Sequence, residues 1–428
     1  MRISLKFLGD AFTFLVLLLG TGAFQSLVLD NSTPDAVAEG SPVMQGLWLA
    51  IYALATLRAI RHYRDIKETV RANKLLMLLV LVAMLSAVWS EDPGVTVRRS
   101  IAVCATTLFA MDLATRYSIR DQLRLLGYVL GFLLLLSVMF QIFMPDLIPA
   151  VDSGYSGAWH GVFQQKNEFA RMVALATLVF LTRSRPPRWS GLATIGITAI
   201  SSALILVSQS RTALVVMAAV LVLLRIFRLR RLGKKALVGG IVAVVFVAIV
   251  LSIAVDTESM AGMLGRDTTM TGRTKIWTLA LESLAERPLL GYGYSAFWNV
   301  SPDALRINEK LQWQVPHAHN GFIDLPLQLG FVGLGLFLVV YAVAVRRAIA
   351  YVYRDPDQEA LWPIAYFAFV LLYQFTESTI FVGNSMLWMV FVSTMSSVST
   401  FSSAYPVPIE IQSGPDPVPP FAVGKEYV

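Results

Sequence analysis

The chain is 428 residues long, 56% hydrophobic and 15% charged, with mean hydropathy +0.63 and a formal net charge of +7. A soluble globule needs far less apolar material for its core, so a soluble enzyme is excluded and the lipid bilayer is the expected solvent. The single cysteine, Cys104, falls within an apolar stretch and rules out an intrachain disulfide or a CxxC centre.

Stretches long enough to cross about 30 Å of hydrocarbon recur near residues 8–29, 43–60, 75–90, 100–115, 123–144 and 168–182. Others follow near 189–207, 211–227, 236–255, 328–345, 360–376 and 384–400. The predicted fold class is all-α: a polytopic membrane protein of about twelve transmembrane helices with a folded extracytoplasmic loop, because a helix satisfies its own backbone polar groups in lipid. Arg2 and Lys6 ahead of the first stretch mimic a secretory signal. Asp10 interrupts the apolar core, however, and further spans follow, so it reads as an uncleaved span.

Basic residues set the orientation, since they resist translocation. With the N-terminus inside, alternation leaves most Lys and Arg cytoplasmic. They include Arg58, Arg61, Arg64, Lys67, Arg71 and Lys74 around the end of the second span, and Arg225, Arg228, Arg230, Arg231, Lys234 and Lys235 after the eighth. The outward connection DNSTPDAVAEGSP contains none. The positive charge is therefore topogenic, and no nucleic-acid partner is expected. Residues 1–255 carry the first nine spans, 256–319 one long extracytoplasmic loop and 320–401 the last three spans. Residues 402–428 form a Pro-, Ser- and Gly-rich cytoplasmic tail read as disordered.

The long loop is not of low complexity. Helical spacing runs through Ile276, Leu279, Ala280 and Leu284 until Pro288 and Gly291 stop it. Such an amphipathic helix, carrying Trp277 and followed by Tyr292, Tyr294, Phe297 and Trp298, is expected to lie in the headgroup region.

Unusual polar residues collect on the outer side. His317, His319 and Asn320 stand just before the tenth span, Arg211 opens the eighth, and Arg273 comes from the long loop. The connection GAWHGVFQQKNEFARM adds His160, Gln164, Gln165, Lys166, Asn167 and Arg171. Each has a plainer reading. Arginine at a span end usually snorkels, Arg273 has Glu282 or Asp267 as loop partners, Lys166 suits an interfacial charge, and His160 with Trp159 suits a membrane anchor. Gathered on one side from four regions, they fit a shared site better. A neutral imidazole takes a proton from a hydroxyl, and arginines grip phosphate through paired donors. That combination suits glycan transfer from a lipid diphosphate, with arginine holding the developing charge. Asn320 is the predicted N-cap of a helix from Gly321, which places His319 beside that helix's positive end.

HAH supplies two imidazoles, with Asp324 or His160 as further ligands, but no HExxH or cysteine cluster accompanies it, so no metal and no cofactor is expected. A GxxxxGK[ST] loop is also missing, which leaves an activated substrate as the source of energy.

The segments GVFQQKNEFA, SQSRTAL, TGRTKIW, PLLGYGYSAFW and HAHNGFIDLPLQLGFVGLG resemble the bacterial O-antigen ligase superfamily, which includes exopolysaccharide polymerases of the ExoQ kind. The last segment is the most specific, with His319, Asn320, Gly330 and Gly333 matching a His-Asn pair followed by two spaced glycines. The resemblance implies that His319 is the catalytic base and that Arg211 and Arg273 bind the diphosphate of an undecaprenyl-diphosphate-linked oligosaccharide donor. His317, Asn320, Lys166, Asn167 and Gln165 are supporting candidates. It also implies inverting, metal-independent transfer to a glycan acceptor, within a GT-C-like architecture in the bacterial inner membrane, on the periplasmic face. Polysaccharide assembly and chain-length proteins are the implied partners. The FQQKN segment looks closer to the exopolysaccharide polymerase branch, which favours exopolysaccharide biosynthesis. An O-antigen ligase attaching glycan to lipid A core is the alternative. A transporter or lipid-glycan flippase is the rival from another class, and its expected signs are charged or interrupted helices at mid-membrane and related halves.

Overall fold

A computed structural model of the chain describes residues 5–23, 42–145, 157–183, 187–228, 239–240, 272–355 and 357–404. The predicted span near 236–255 lies almost entirely outside these residues, as do the start of the long loop and the tail from 405. Among the described residues the fold is all-helical, without strands. The helices are α1 (Leu5–Leu19), α2 (Pro42–Arg61), α3 (Tyr63–Ala72), α4 (Lys74–Leu85), α5 (Pro93–Arg116), α6 (Ile119–Phe143), α7 (Lys166–Thr182) and α8 (Pro187–Val207). They continue as α9 (Arg211–Arg228), α10 (Gly272–Glu286), α11 (Phe297–Val300), α12 (Pro302–Leu311), α13 (Gly321–Arg354), α14 (Trp362–Tyr373) and α15 (Met386–Ala404).

Three of these, α2, α6 and α13, are long and apolar enough to cross a membrane by length and composition. Helices α3 and α4, the latter continued to Val88, pass the same test only together, and they meet at 91°. The bend follows from sequence. YRDIKETVRA is polar around a narrow apolar stripe and suits an interface, whereas KLLMLLVLVAML suits hydrocarbon. Asn73 turns the corner. Its side chain donates to the Thr69 carbonyl at 2.9 Å and to Ser399 Oγ at 3.0 Å, and it accepts from Arg347 Nη1 at 2.8 Å. Three residues of the basic cluster at the end of the second predicted span, Arg64, Lys67 and Arg71, thus lie on a helix of their own.

Helix α13 is interrupted. Gly330 has φ 64° and ψ −174°, which breaks the backbone ladder. An unpaired break would be costly in a bilayer, and a loop segment repairs it. Tyr292 and Gly293 donate to the carbonyls of Leu327 and Gln328 at 2.9 and 3.0 Å, while Phe331 and Val332 donate to those of Pro288 and Leu289 at 2.8 and 3.3 Å. The motif PLLGYG thus pairs with both sides of the break. It needs glycine to approach so closely, since a Cβ on Gly291 would stand 2.6 Å from the Leu327 carbonyl oxygen and one on Gly330 would clash with the Leu289 carbonyl.

The described part of the long loop is a folded cap with its own core, including Ile276, Leu284, Tyr292, Phe297, Ile307 and Leu327. The helical spacing read through Ile276 to Leu284 corresponds to α10. Tyr292, Tyr294 and Phe297 are buried within the protein. The tyrosine hydroxyls find internal acceptors, with Tyr292 donating to the Ser283 carbonyl at 2.7 Å and Tyr294 to that of Phe381 at 2.6 Å.

Candidate active site

The turn His317-Ala318-His319 enters α13 from the cap and is held at its centre. Ala318 N–H donates to both carboxylate oxygens of Asp324 at 3.0 Å, and its carbonyl accepts from Trp277 Nε1 at 2.8 Å. Asp324 is buried and also accepts from Trp298 Nε1 at 2.6 Å and from Ser378 Oγ. Asn320 caps α13 as the sequence predicts, its side chain accepting from Phe322 N–H at 2.9 Å. Gly321 N–H donates to the Gln374 carbonyl at 2.8 Å, which ties the turn to the end of α14.

These clamps bring His319 to φ 51°, a left-handed conformation that a non-glycine residue adopts only when its surroundings impose it. The two imidazoles lie 4.1 Å apart, and His317 Nδ1 accepts from the His319 backbone N–H at 3.1 Å. His319 Nδ1 faces Glu377 Oε2 at 3.4 Å, and the other carboxylate oxygen lies 3.6 Å from Arg273 Nη2 on α10. Burial alone would raise the Glu377 carboxyl, but the His319 contact and the nearby His317 and Arg273 hold it down at about 2. His317 moves oppositely to an ordinary imidazole partner of a carboxylate: burial first, then His319, Arg171 and Arg273, push it down to about 4 against Glu377. The structure therefore joins His317, His319, Asn320 and Arg273 in one cluster.

The remaining candidates stand nearby in sequence elements but not in that contact set. Arg211 is exposed at the first position of α9 and makes no ion pair among the described residues. Asn167 accepts from Ser210 Oγ at 3.0 Å, so the start of α7 braces the turn before Arg211. Gln165 is the N-cap residue of α7 without a side-chain cap bond, and Lys166, the next residue, is buried. His160 is buried with Nδ1 2.8 Å from the Phe163 carbonyl, which gives it a structural role. Glu377 and Asp324 are the residues whose roles sequence reasoning missed. Their signal was a carboxylate at the end of an apolar helix, a position that lipid-facing residues rarely take.

The side-chain ligand atoms of His317, His319 and Glu377 lie within 4.8 Å of one another. Motif spacing gave no hint of this, because Glu377 is distant in sequence, and the trio is compatible with a divalent cation as well as with proton transfer.

Residues 196–338 match the family model for O-antigen ligase. The resemblance read from the motifs stands. That range holds Arg211, Arg273, His317, His319 and the α13 break, and it ends before Glu377. The chain is also 27% identical over 346 residues to the exopolysaccharide production protein ExoQ of Rhizobium meliloti (strain 1021), covering 75% of this chain and 76% of that protein. Both similarities are to membrane glycan ligation or polysaccharide production.

Proposed function

We propose that this protein is an inner-membrane polysaccharide polymerase. It transfers a glycan from an undecaprenyl-diphosphate-linked donor to a sugar hydroxyl at the periplasmic face, in exopolysaccharide biosynthesis. The observation that carries this reading is the contact of His319 Nδ1 with the buried Glu377 carboxylate, beside Arg273. A carboxylate on Nδ1 favours the tautomer with its proton there, leaving Nε2 to accept. The acceptor oxygen attacks the anomeric carbon while His319 takes the hydroxyl proton. The bond from that carbon to the diphosphate oxygen breaks, and the diphosphate leaves with the electron pair. Attack opposite the leaving group inverts the anomeric centre. Arg211 and Arg273 hold the departing charge; a guanidinium carries five donors, so the pairing of Arg273 with Glu377 does not exclude phosphate.

Cells lacking the protein test this reading. Missing polymer with accumulation of lipid-linked single repeats is expected, whereas intact but unattached polymer would indicate ligation to lipid A core. A second reading, favoured by the spacing of His317, His319 and Glu377, is transfer assisted by a divalent cation. Metal-independent transfer predicts that chelators leave the rate unchanged.

Arg211→Lys should lower donor use although it keeps the charge, because an ammonium cannot reproduce the planar two-point grip on phosphate oxygens. Arg225→Lys, exposed on the last turns of α9 and away from the Arg211 end, is the control and should be nearly silent. Normal donor affinity in the Arg211→Lys protein would reduce that arginine to an interfacial charge.

A further inference from the structure

One cation near the histidines has no use in the mechanism above. Arg171 lies on the second turn of α7, one turn beyond Asn167, and is only partly exposed. Helix α7 packs against α14, whose last residue is Tyr373. The Arg171 charge is close enough to act on both His317 and Tyr373. The Tyr373 carbonyl in turn accepts from the Glu377 N–H at 2.8 Å, so Arg171, Tyr373, Glu377 and the histidine turn share one neighbourhood.

What marks Arg171 is an unsatisfied donor. Its Nε is buried without a hydrogen bond among the described residues, and so is the hydroxyl of Tyr373, a residue only 2% exposed. A third orphan, Gln164 Nε2, lies at the same end of α7. Arg273 differs, because Glu377 pairs with it. An interfacial anchor would explain a guanidinium that reaches water, but not one whose Nε is sealed from it. Leaving buried donors unpaired is costly, and a partner that accepts hydrogen bonds and carries negative charge suits a guanidinium and a phenol.

We propose that Arg171, with the Tyr373 hydroxyl, forms an oxyanion-binding subsite that takes a phosphate or carboxylate group of the glycan substrate beside the His319 base. The subsite rests on reading this cluster as a glycan-transfer site. Neutral sugar hydroxyls would satisfy the donors but leave the charge uncompensated. Two substrate groups supply the right chemistry: the lipid diphosphate, and the carboxylate of an acidic sugar.

Binding to the full chain in lipid nanodiscs separates these sources. The probes are undecaprenyl diphosphate without glycan, an oligosaccharide ending in glucuronate, and its neutral counterpart ending in glucose. Arg171→Met should weaken one of the two anionic probes by roughly ten- to a hundredfold and leave the neutral probe unaffected, and Arg171→Lys should recover part of the loss. The probe that responds identifies the oxyanion. Thermal unfolding checks the alternative of a purely structural residue: because the substitution removes an unsatisfied buried donor, the Tm of the Met variant should stay level or rise. Wild-type binding of both anionic probes by Arg171→Met, or a lowered Tm with binding intact, would overturn the subsite. Glycan transfer by the wild-type chain is measured separately. Arg171-dependent binding without any transfer supports the subsite while removing the glycosyltransferase reading.

Discussion

Replacing His319 by alanine is expected to lower glycan transfer by roughly 10² to 10⁴, the usual cost of losing a general base, with folding and donor binding retained. His317→Ala should cost less. His317 accepts the backbone N–H of His319, so it shapes the turn rather than moving the proton. The pH profile separates the two roles. Burial holds His317 near 4 and its neighbours hold Glu377 near 2, so across pH 5 to 8 the first stays neutral and the second stays charged. Neither group changes charge in that window, so neither contributes a limb to the profile there. The His317→Ala variant should therefore leave the shape of the profile between pH 5 and 8 unchanged. Wild-type transfer by a folded His319→Ala protein, or an inactive His317→Ala protein with an active His319→Ala one, would remove His319 as the base.

Gly330→Ala is expected to have the largest effect on folding. A side chain at φ 64°, ψ −174° sits in a region that is nearly glycine-only and costs about 1 to 3 kcal/mol. The added Cβ also collides with the Leu289 carbonyl, which is backbone and cannot rotate away. Relieving that collision pulls PLLGYG off the broken helix and exposes four backbone hydrogen bonds to lipid or to each other. Against a typical total of about 5 to 15 kcal/mol, little folded protein should survive. Gly335→Ala, on the same helix with nothing within 4 Å of its added Cβ, should be neutral or stabilising. The yield and Tm of detergent-solubilised protein check the pair, and equal behaviour of the two variants would show that the break tolerates a side chain.

The contrast between those glycines shows what the sequence made legible. Apolar stretches identified a membrane protein and an all-helical fold, because hydrophobic length is a local property. Asn320 as a cap and α10 as a helix were readable for the same reason. The sharp α3–α4 bend, hidden in a change from polar to apolar helix at Asn73, was less so. The broken α13 was not readable, since GFVGLG is apolar throughout and the break depends on backbone hydrogen bonds with residues 288–293. That break also weakens the contrast with a transporter, for which an interrupted helix was an expected sign. In the site, scarcity singled out the histidines and cation chemistry the arginines. Glu377 and Asp324 escaped because their partners lie on other elements: Glu377 meets His319 across 58 residues, and no spacing rule reports such a contact.

The central claim is that new glycosidic bonds are made at this site. Purified protein in liposomes loaded with undecaprenyl-diphosphate-linked repeat units, with chelator present, tests it by mass spectrometry of the lipid and glycan fractions. The account predicts lengthened glycan together with free undecaprenyl diphosphate, both lost in His319→Ala. Unmodified lipid-linked repeat units appearing on the opposite leaflet, with no new glycosidic bond, would contradict it.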